Sequence, residues 1–333
     1  MAWRAAVIGC GLIGSQFSER AMGLGVYSHA EAYHVSPDFD LAAVCDPDAS
    51  RLDQCARRWK VRGAYTEAAD LLARERPEVV SICSPDPTHY QLALMALDSP
   101  GLKALFMEKP LALELGQTPQ IVARAEARGV VLAVNYLRRY SPAFQEVRRR
   151  IRSGGLGRLQ AVGGFYTKGI RHNGTHWLDL ARWLVGEVES VQAWDSLGEA
   201  AEDPTVDLRL KFKDGPAGWL QGCRAGAYSV FELDILGEAG RLRLVDAQQV
   251  FELQRVGESA FYQGYRTLQP PEMIEARLKD LLLLAVEDLA ACLNEEGREP
   301  LCSGRDALAA LAIAEAAAEA ARGGREISPV AYF

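Results

Sequence analysis

The chain has 333 residues, 49% of them hydrophobic and 24% charged, with a net charge of −7 at neutral pH. That is length enough for two domains with buried cores, and the acidic balance excludes a general nucleic-acid binder, which needs a basic face to release phosphate counterions. No stretch reaches the ~18 uncharged apolar residues of a membrane helix; the best candidate, 281–293, is interrupted by Glu287 and Asp288.

The first part of the chain alternates short apolar runs with helical patterns. The runs at 5–8, 41–45, 79–83, 104–107 and 130–134 are continuous rather than alternating, which suits parallel strands covered on both faces. Helical patterns fall between them at 49–59, 66–74, 88–97 and 118–128, and Gly129 supplies a helix stop. From about residue 158 the character changes. Runs at 159–166, 188–195, 206–212, 218–223, 231–236, 242–245 and 250–253 are short, several alternate with period two, and Asp214-Gly215, Gly237 and Gly240 punctuate them as turns. Two helices are expected at 275–294 and 306–322. The fold class predicted is an α/β, Rossmann-like parallel sheet in residues 1–134, followed by an α+β domain with a largely antiparallel open sheet in 135–333, whose late helices have the option of packing back on the first domain.

Seven cysteines stand at 10, 45, 55, 83, 223, 292 and 302, with no Cys-x-x-Cys pair. They read as small buried hydrophobes in a reducing compartment. The N-terminus enters an apolar strand with no cleavable signal pattern, so a cytoplasmic location is expected.

Gly9, Gly11 and Gly14, within Gly9-Cys10-Gly11-Leu12-Ile13-Gly14, follow the first strand and open a helix. This is the dinucleotide-binding spacing: a tight turn, a close backbone approach to a pyrophosphate, and close helix–strand contact. Asp46 ends the second strand, later than the usual ~20 residues after the last glycine. An insertion at 23–29 accounts for the excess. A carboxylate there bonds ribose hydroxyls and favours NAD over NADP; Arg51 nearby softens that preference, and capping of the next helix is the competing role, open also to Asp48. Ser84-Pro85-Asp86-Pro87-Thr88-His89 follows the third strand, where His89 is either a neighbour of the nicotinamide or a first-turn residue with a local partner.

Met107-Glu108-Lys109-Pro110 ends the fourth apolar run and sets an ammonium group at the mouth of the same sheet. A desolvated lysine can orient or deprotonate a hydroxyl. Asn135 and Arg139 close the next strand. Arg138 or Arg139, with Lys168 and Arg171, suits an anionic substrate, since guanidinium forks bind phosphate bidentately; the arginines at 148–152 read as a solvated helix face. Downstream, His172-Asn173-Gly174-Thr175-His176-Trp177-Leu178-Asp179 sets His172, His176 and Asp179 on one helical face. His176 is the candidate general acid–base. A zinc pair from His172 and His176 is a minor alternative, and no metal is expected.

Together, the glycine pattern at 9–14, the loop at 85–89, Glu108-Lys109-Pro110, Asn135 with Arg139, and His176-x-x-Asp179-Leu180 resemble the Gfo/Idh/MocA family, relatives of glucose–fructose oxidoreductase and inositol dehydrogenase. The resemblance implies hydride transfer between a nicotinamide and a secondary alcohol of a sugar, cyclitol or nucleotide sugar. It implies that Lys109 and His176 sit by the reacting carbinol, that the Lys-Pro bond is often cis, and that the second sheet mediates a homo-dimer or homo-tetramer. It also exposes a departure: many members carry aspartate four residues before the histidine, where this chain has His172. The resulting site comprises Gly9, Gly11, Leu12, Ile13, Gly14, Asp46, Ser84, Pro85, His89, Glu108 and Lys109 toward NAD (NADP being the second option), and Lys109, Asn135, Arg139, Lys168, His172, Asn173 and His176 toward a carbohydrate-like substrate. Two other classes remain open: a non-catalytic cofactor-binding regulator or scaffold, made more credible by His172, and an imine or biliverdin-type reductase.

Overall fold

The structure is a computed structural model that describes residues 2–20, 25–198 and 202–329; part of the expected insertion at 23–29 lies outside the described residues. The chain divides into two compact units, Met1–Tyr140 with Lys279–Leu308, and Ser141–Leu278 with Ala309–Phe333. The boundary expected at 134/135 falls at the end of a strand, a few residues before the units part.

The first unit is built on a parallel sheet of six strands in the order β3-β2-β1-β4-β5-β6. They are β1 (Trp3–Ile8), β2 (Phe39–Cys45), β3 (Gly63–Tyr65), β4 (Val79–Ile82), β5 (Ala104–Met107) and β6 (Val131–Val134). Every residue of β4 and β5 is buried, as strands covered by crossover helices on both faces must be. Burying each large apolar side chain in such a layer contributes roughly 1.5–3 kcal/mol. The flanking helices start where the sequence offers caps: Asp48 accepts from Ser50 and Arg51 N–H ahead of Ala49–Trp59, and Ser28 from Glu31 N–H ahead of His29–Val35. The segment after the glycine turn differs from the expected plain helix: Leu12–Gln16 is a π-helical turn, followed by Phe17–Arg20. The return segment ties into this unit through Val134 N–H to Cys302 O at 3.0 Å and through Val26 N–H to Asp280 Oδ1 at 2.8 Å.

The second unit carries a nine-stranded sheet. Its strands are β7 (Leu159–Tyr166), β8 (Val188–Trp194), β9 (Asp207–Phe212), β10 (Ala217–Gly222), β11 (Phe231–Gly237), β12 (Gly240–Val245), β13 (Val250–Glu258), β14 (Arg266–Leu268) and β15 (Glu272–Glu275). All pairs are antiparallel except β7 with β10, so the sheet is mixed and largely antiparallel. Strand β11 alternates buried and half-buried positions along its length, the signature of one covered face. The covered face meets Phe144, Tyr166, Trp177, Phe212 and Phe251 in one core. Gly164 makes room for Trp177: a Cβ there would lie 2.4 Å from the indole nitrogen, which donates to Glu232 O at 2.9 Å.

The helix expected at 275–294 is shorter. Residue 275 still belongs to β15, Arg277 and Asp280 have left-handed φ values of 50° and 60°, and the helix runs over Leu281–Asn294. Among the described residues, no helix is long and apolar enough to cross a membrane.

Candidate active site

The parallel ladder continues past the strand ends. Gly9 N–H donates to Cys45 O at 2.8 Å, Cys83 N–H to Ile8 O at 2.8 Å, Glu108 N–H to Ile82 O at 3.0 Å and Asn135 N–H to Met107 O at 2.9 Å. These bonds set Gly9, Asp46, Ser84, Glu108 and Asn135 in one row along the carboxyl edge of the first sheet. That edge is where open α/β sheets bind ligands, at the point where strand order reverses between β1 and β4.

The three glycines have separable reasons. Gly9 has φ +102°, and a Cβ on it would lie 2.6 Å from the backbone of Cys83 and Ser84. A Cβ on Gly14 would lie 1.9 Å from Gly9 O. The protein itself therefore demands both. A Cβ on Gly11 would meet no atom of the described residues within 4 Å, so its smallness serves an open cradle, and a pyrophosphate is what such a turn accommodates. Leu12 is exposed and Ile13 half-buried beside it.

Asp46 is buried at 4% exposure. Its Oδ2 accepts Cys10 N–H at 2.8 Å, and its Oδ1 accepts Asp48 N–H at 2.9 Å. Arg51 lies on the same oxygen, with NH2 at 3.2 Å. The helix cap is Asp48, which leaves Asp46 at the strand end as a strut for the glycine turn.

Lys109 and Pro110 are joined by a cis peptide bond, and Lys109 is half-buried. His89 opens its helix fully buried, with Nδ1 2.6 Å from Pro110 O and Nε2 2.9 Å from Ser84 O. Of its two expected roles, the local one is observed: it braces the loop after β4 against the loop after β5. Pro85 is exposed at the start of the Asp86–Thr88 turn, and Ser84 Oγ accepts from Thr88 Oγ1 at 2.7 Å. Asn135 is buried and donates its amide to Glu108 Oε1 at 2.5 Å, while its own Oδ1 has no partner among the described residues. Burial pushes Glu108 up, but bonds from His29 and Asn135 and the charges of His29 and Lys109 outweigh it, so its carboxyl lies below its ordinary value. Arg139 is spent differently from the expectation of a substrate contact. It is 2% exposed, donates to Leu301 O at 3.1 Å and pairs with Asp306 at 3.1 Å.

The remaining candidates lie together in the second unit. Lys168 is exposed in a left-handed conformation (φ 68°) and leads into a π-helical segment, Gly169–Gly174. His172 belongs to that segment and His176 to the following helix, Thr175–Val185. His172 thus lies in the π turn, while His176 and Asp179 lie on the α-helix that follows it. His172 is exposed, His176 half-buried and Asp179 buried. Asn173 donates to Thr167 O at 2.9 Å. Asp203, which sequence reading missed, accepts the N–H groups of both Arg171 and His172 at 2.8 Å, so a carboxylate does reach this segment, through the backbone. Arg171 is bidentate to Glu315. Both π turns among the described residues thus carry candidate ligand-binding residues, a placement common for such turns.

A glycine cradle at the switch point of a parallel sheet, joined to a lysine at the same edge and a separate antiparallel-sheet unit, defines a two-domain nicotinamide-dependent oxidoreductase. The profile of the Gfo/Idh/MocA oxidoreductase family, NAD-binding Rossmann fold, matches residues 3–136, and that of the family's C-terminal alpha/beta domain matches 169–331. The chain belongs to this family and is an NAD(P)-dependent oxidoreductase. It is 28% identical to D-apiose dehydrogenase of Paraburkholderia graminis, over 94% of this chain and 89% of that protein. It is 25% identical to the NAD(+)-dependent scyllo-inositol 2-dehydrogenase of Bacillus subtilis, over 97% and 95%. A levoglucosan dehydrogenase solved with NADH shares the fold, with a TM-score of 0.81 at 17% identity over 98% of this chain and 99% of that one.

Proposed function

We propose that the protein oxidises a secondary hydroxyl of a neutral sugar or cyclitol with NAD. The observation that carries this reading is the Gly11 cradle on the same sheet edge as Lys109. Relatives named for D-apiose and scyllo-inositol support the substrate class. Gly9, Gly11, Leu12, Ile13 and Gly14 hold the cofactor phosphates, Asp46 faces the adenosine ribose, and Ser84, Pro85 and Glu108 border the nicotinamide end. NAD, when bound, accepts a hydride. Lys109 orients the substrate oxygen, and His176 takes the hydroxyl proton, as an imidazole near neutrality can. Asn135, Lys168, His172 and Asn173 hold the remaining hydroxyls. An anionic substrate is less favoured, because Arg139 and Arg171 are engaged by Asp306 and Glu315.

Two finer assignments go with this reading. The outer face of the second sheet mediates a homo-oligomer: Phe165 and Trp219 stack edge-on at 5.3 Å and, with Trp194, stay exposed there. The seven cysteines are free, which favours a reducing, cytoplasmic setting. The second reading, a cofactor-binding regulator, rests on His172 standing where the family resemblance leads one to expect aspartate.

The test is a nicotinamide-absorbance screen of the purified protein with NAD and NADP against sugars, cyclitols and nucleotide sugars. Turnover of a neutral polyol that is abolished in Lys109→Ala, with NAD affinity kept within a few-fold, is the expected result. Tight NAD binding with no turnover of any class overturns the dehydrogenase reading in favour of the regulator.

A further inference from the structure

A buried polar chain runs through the first unit to Glu108, and none of the roles above uses it. Tyr33 OH lies 2.9 Å from Ser81 Oγ, and Ser81 Oγ lies 3.0 Å from His29 Nδ1. His29 Nε2 lies 3.0 Å from Glu108 Oε1, the oxygen that also accepts from Asn135. Tyr33, Ser81 and His29 are all at 0% exposure, and the Phe106 ring covers the imidazole at 4.7 Å. Ser81 Oγ bridges the Tyr33 hydroxyl and Nδ1, and Nε2–H donates to the carboxylate. Burial pushes the Tyr33 hydroxyl well above its ordinary value, so it stays a neutral donor. From Glu108 the chain runs inward to a fully buried end at Tyr33. Its work is to fix an orientation and a charge.

That charge is on Glu108. The groups that face it are His29 from the helix His29–Val35, Cys83 at the exit of β4, Lys109 from its own segment and Asn135 from the exit of β6. Burial first, then the charge of Glu108, raises the Cys83 thiol, so Cys83 adds no competing anion. Attraction between Lys109 and Glu108 is mutual: whatever keeps the carboxylate ionised also favours the ammonium.

We propose that His29 is a positioning residue for Lys109: it holds Glu108 as a buried carboxylate, and that carboxylate keeps Lys109 an ammonium. Lys109 then orients and polarises the substrate oxygen and takes no proton from it, which leaves proton transfer to another group. This deepens, and rests on, the assignment of Lys109 to the substrate oxygen.

The experiment reads Lys109 without any substrate. Amines react with acetic anhydride only as the free base, so labelling of Lys109 at pH 8, measured by mass spectrometry against the exposed Lys103, reports its charge. Glu108→Gln and His29→Leu are each expected to raise the Lys109/Lys103 ratio about tenfold, the effect of losing one adjacent opposite charge. His29→Gln, whose amide offers a donor and an acceptor, returns the ratio most of the way. Melting temperature and NADH fluorescence establish that each variant is folded; if His29→Leu is not, Glu108→Gln and His29→Gln decide. An unchanged ratio in Glu108→Gln overturns the proposal. Where a polyol is turned over, His29→Leu should lower kcat with the KM for NAD unchanged. A protein that turns over no polyol refutes the dehydrogenase reading and leaves the labelling test standing. Unchanged labelling in an active enzyme refutes the role of His29 alone.

Discussion

Cys10 donates its backbone N–H to Asp46 Oδ2 at 2.8 Å, so the glycine turn after the first strand and the carboxylate that ends the second are one assembly. Replacing Asp46 by alanine would loosen the turn as well as remove a charge. Asp46→Asn keeps the turn tied, because its amide oxygen still accepts from Cys10, while it removes the charge and the bond from Asp48 N–H. NAD affinity should fall roughly tenfold, the worth of one charge-assisted bond, while NADP affinity holds or rises as Arg51 loses its counter-charge. Titration of both cofactors by fluorescence decides; equal losses would take Asp46 out of cofactor choice.

The glycines should divide by consequence. In Gly14→Ala the new methyl meets Gly9 O at 1.9 Å, so unfolding free energy should drop by about 1–3 kcal/mol or more, as overpacking does. In Gly11→Ala the methyl meets no atom of the described residues within 4 Å. Its melting temperature should match the parent while NAD binding weakens at least tenfold. A Gly11→Ala protein that binds NAD normally would contradict the cradle.

Arg139 is predicted to matter for stability and not for substrate. Its guanidinium is buried against Asp306 and Leu301 O, and removing one member of a buried pair costs about 3 kcal/mol or more. Arg139→Ala should show that loss in denaturant unfolding. If the variant instead melts normally and only KM rises, the substrate assignment of the sequence reading stands.

Glu108 makes stability depend on pH in a stated direction. Its folded value lies below its ordinary 4.5, so its bonds to His29 and Asn135 contribute fully above pH 4.5 and are lost as pH falls through the folded value. Glu108→Gln removes that dependence. Unfolding measured between pH 7 and pH 3 should show the gap between parent and variant narrowing on the acid side, and a constant gap would mean that the carboxyl does not titrate differently on folding.

Much of this was legible in the sequence because its signals are local. Continuous apolar runs marked five strands of the first sheet, and Gly-x-Gly-x-x-Gly with Glu108-Lys109-Pro110 marked its ligand edge. The failures are contacts between residues far apart. β3 is three residues, Gly-Ala-Tyr, too short to show a period. His29 meets Glu108 across 79 positions, and a lone histidine after a glycine-rich stretch advertises nothing. Arg139 reads as a substrate contact in the sequence because its partner Asp306 arrives on the helix Gly304–Gly323. Asp203 acts through backbone N–H groups, which no side-chain pattern reveals. The π turns were invisible because residue choice distinguishes them poorly from ordinary helix.

The return of residues 279–308 to the first unit has a consequence for synthesis. Val26, Val134 and Arg139 take their partners from Asp280, Cys302 and Asp306, so the nucleotide-binding half is not a block that can finish while the ribosome is still translating the second sheet. Its closing contacts do not exist until the later half has been made. A release of the chain at Tyr140 would yield an unfinished fold, and the cell gains a cofactor site only in molecules that have been translated through residue 308.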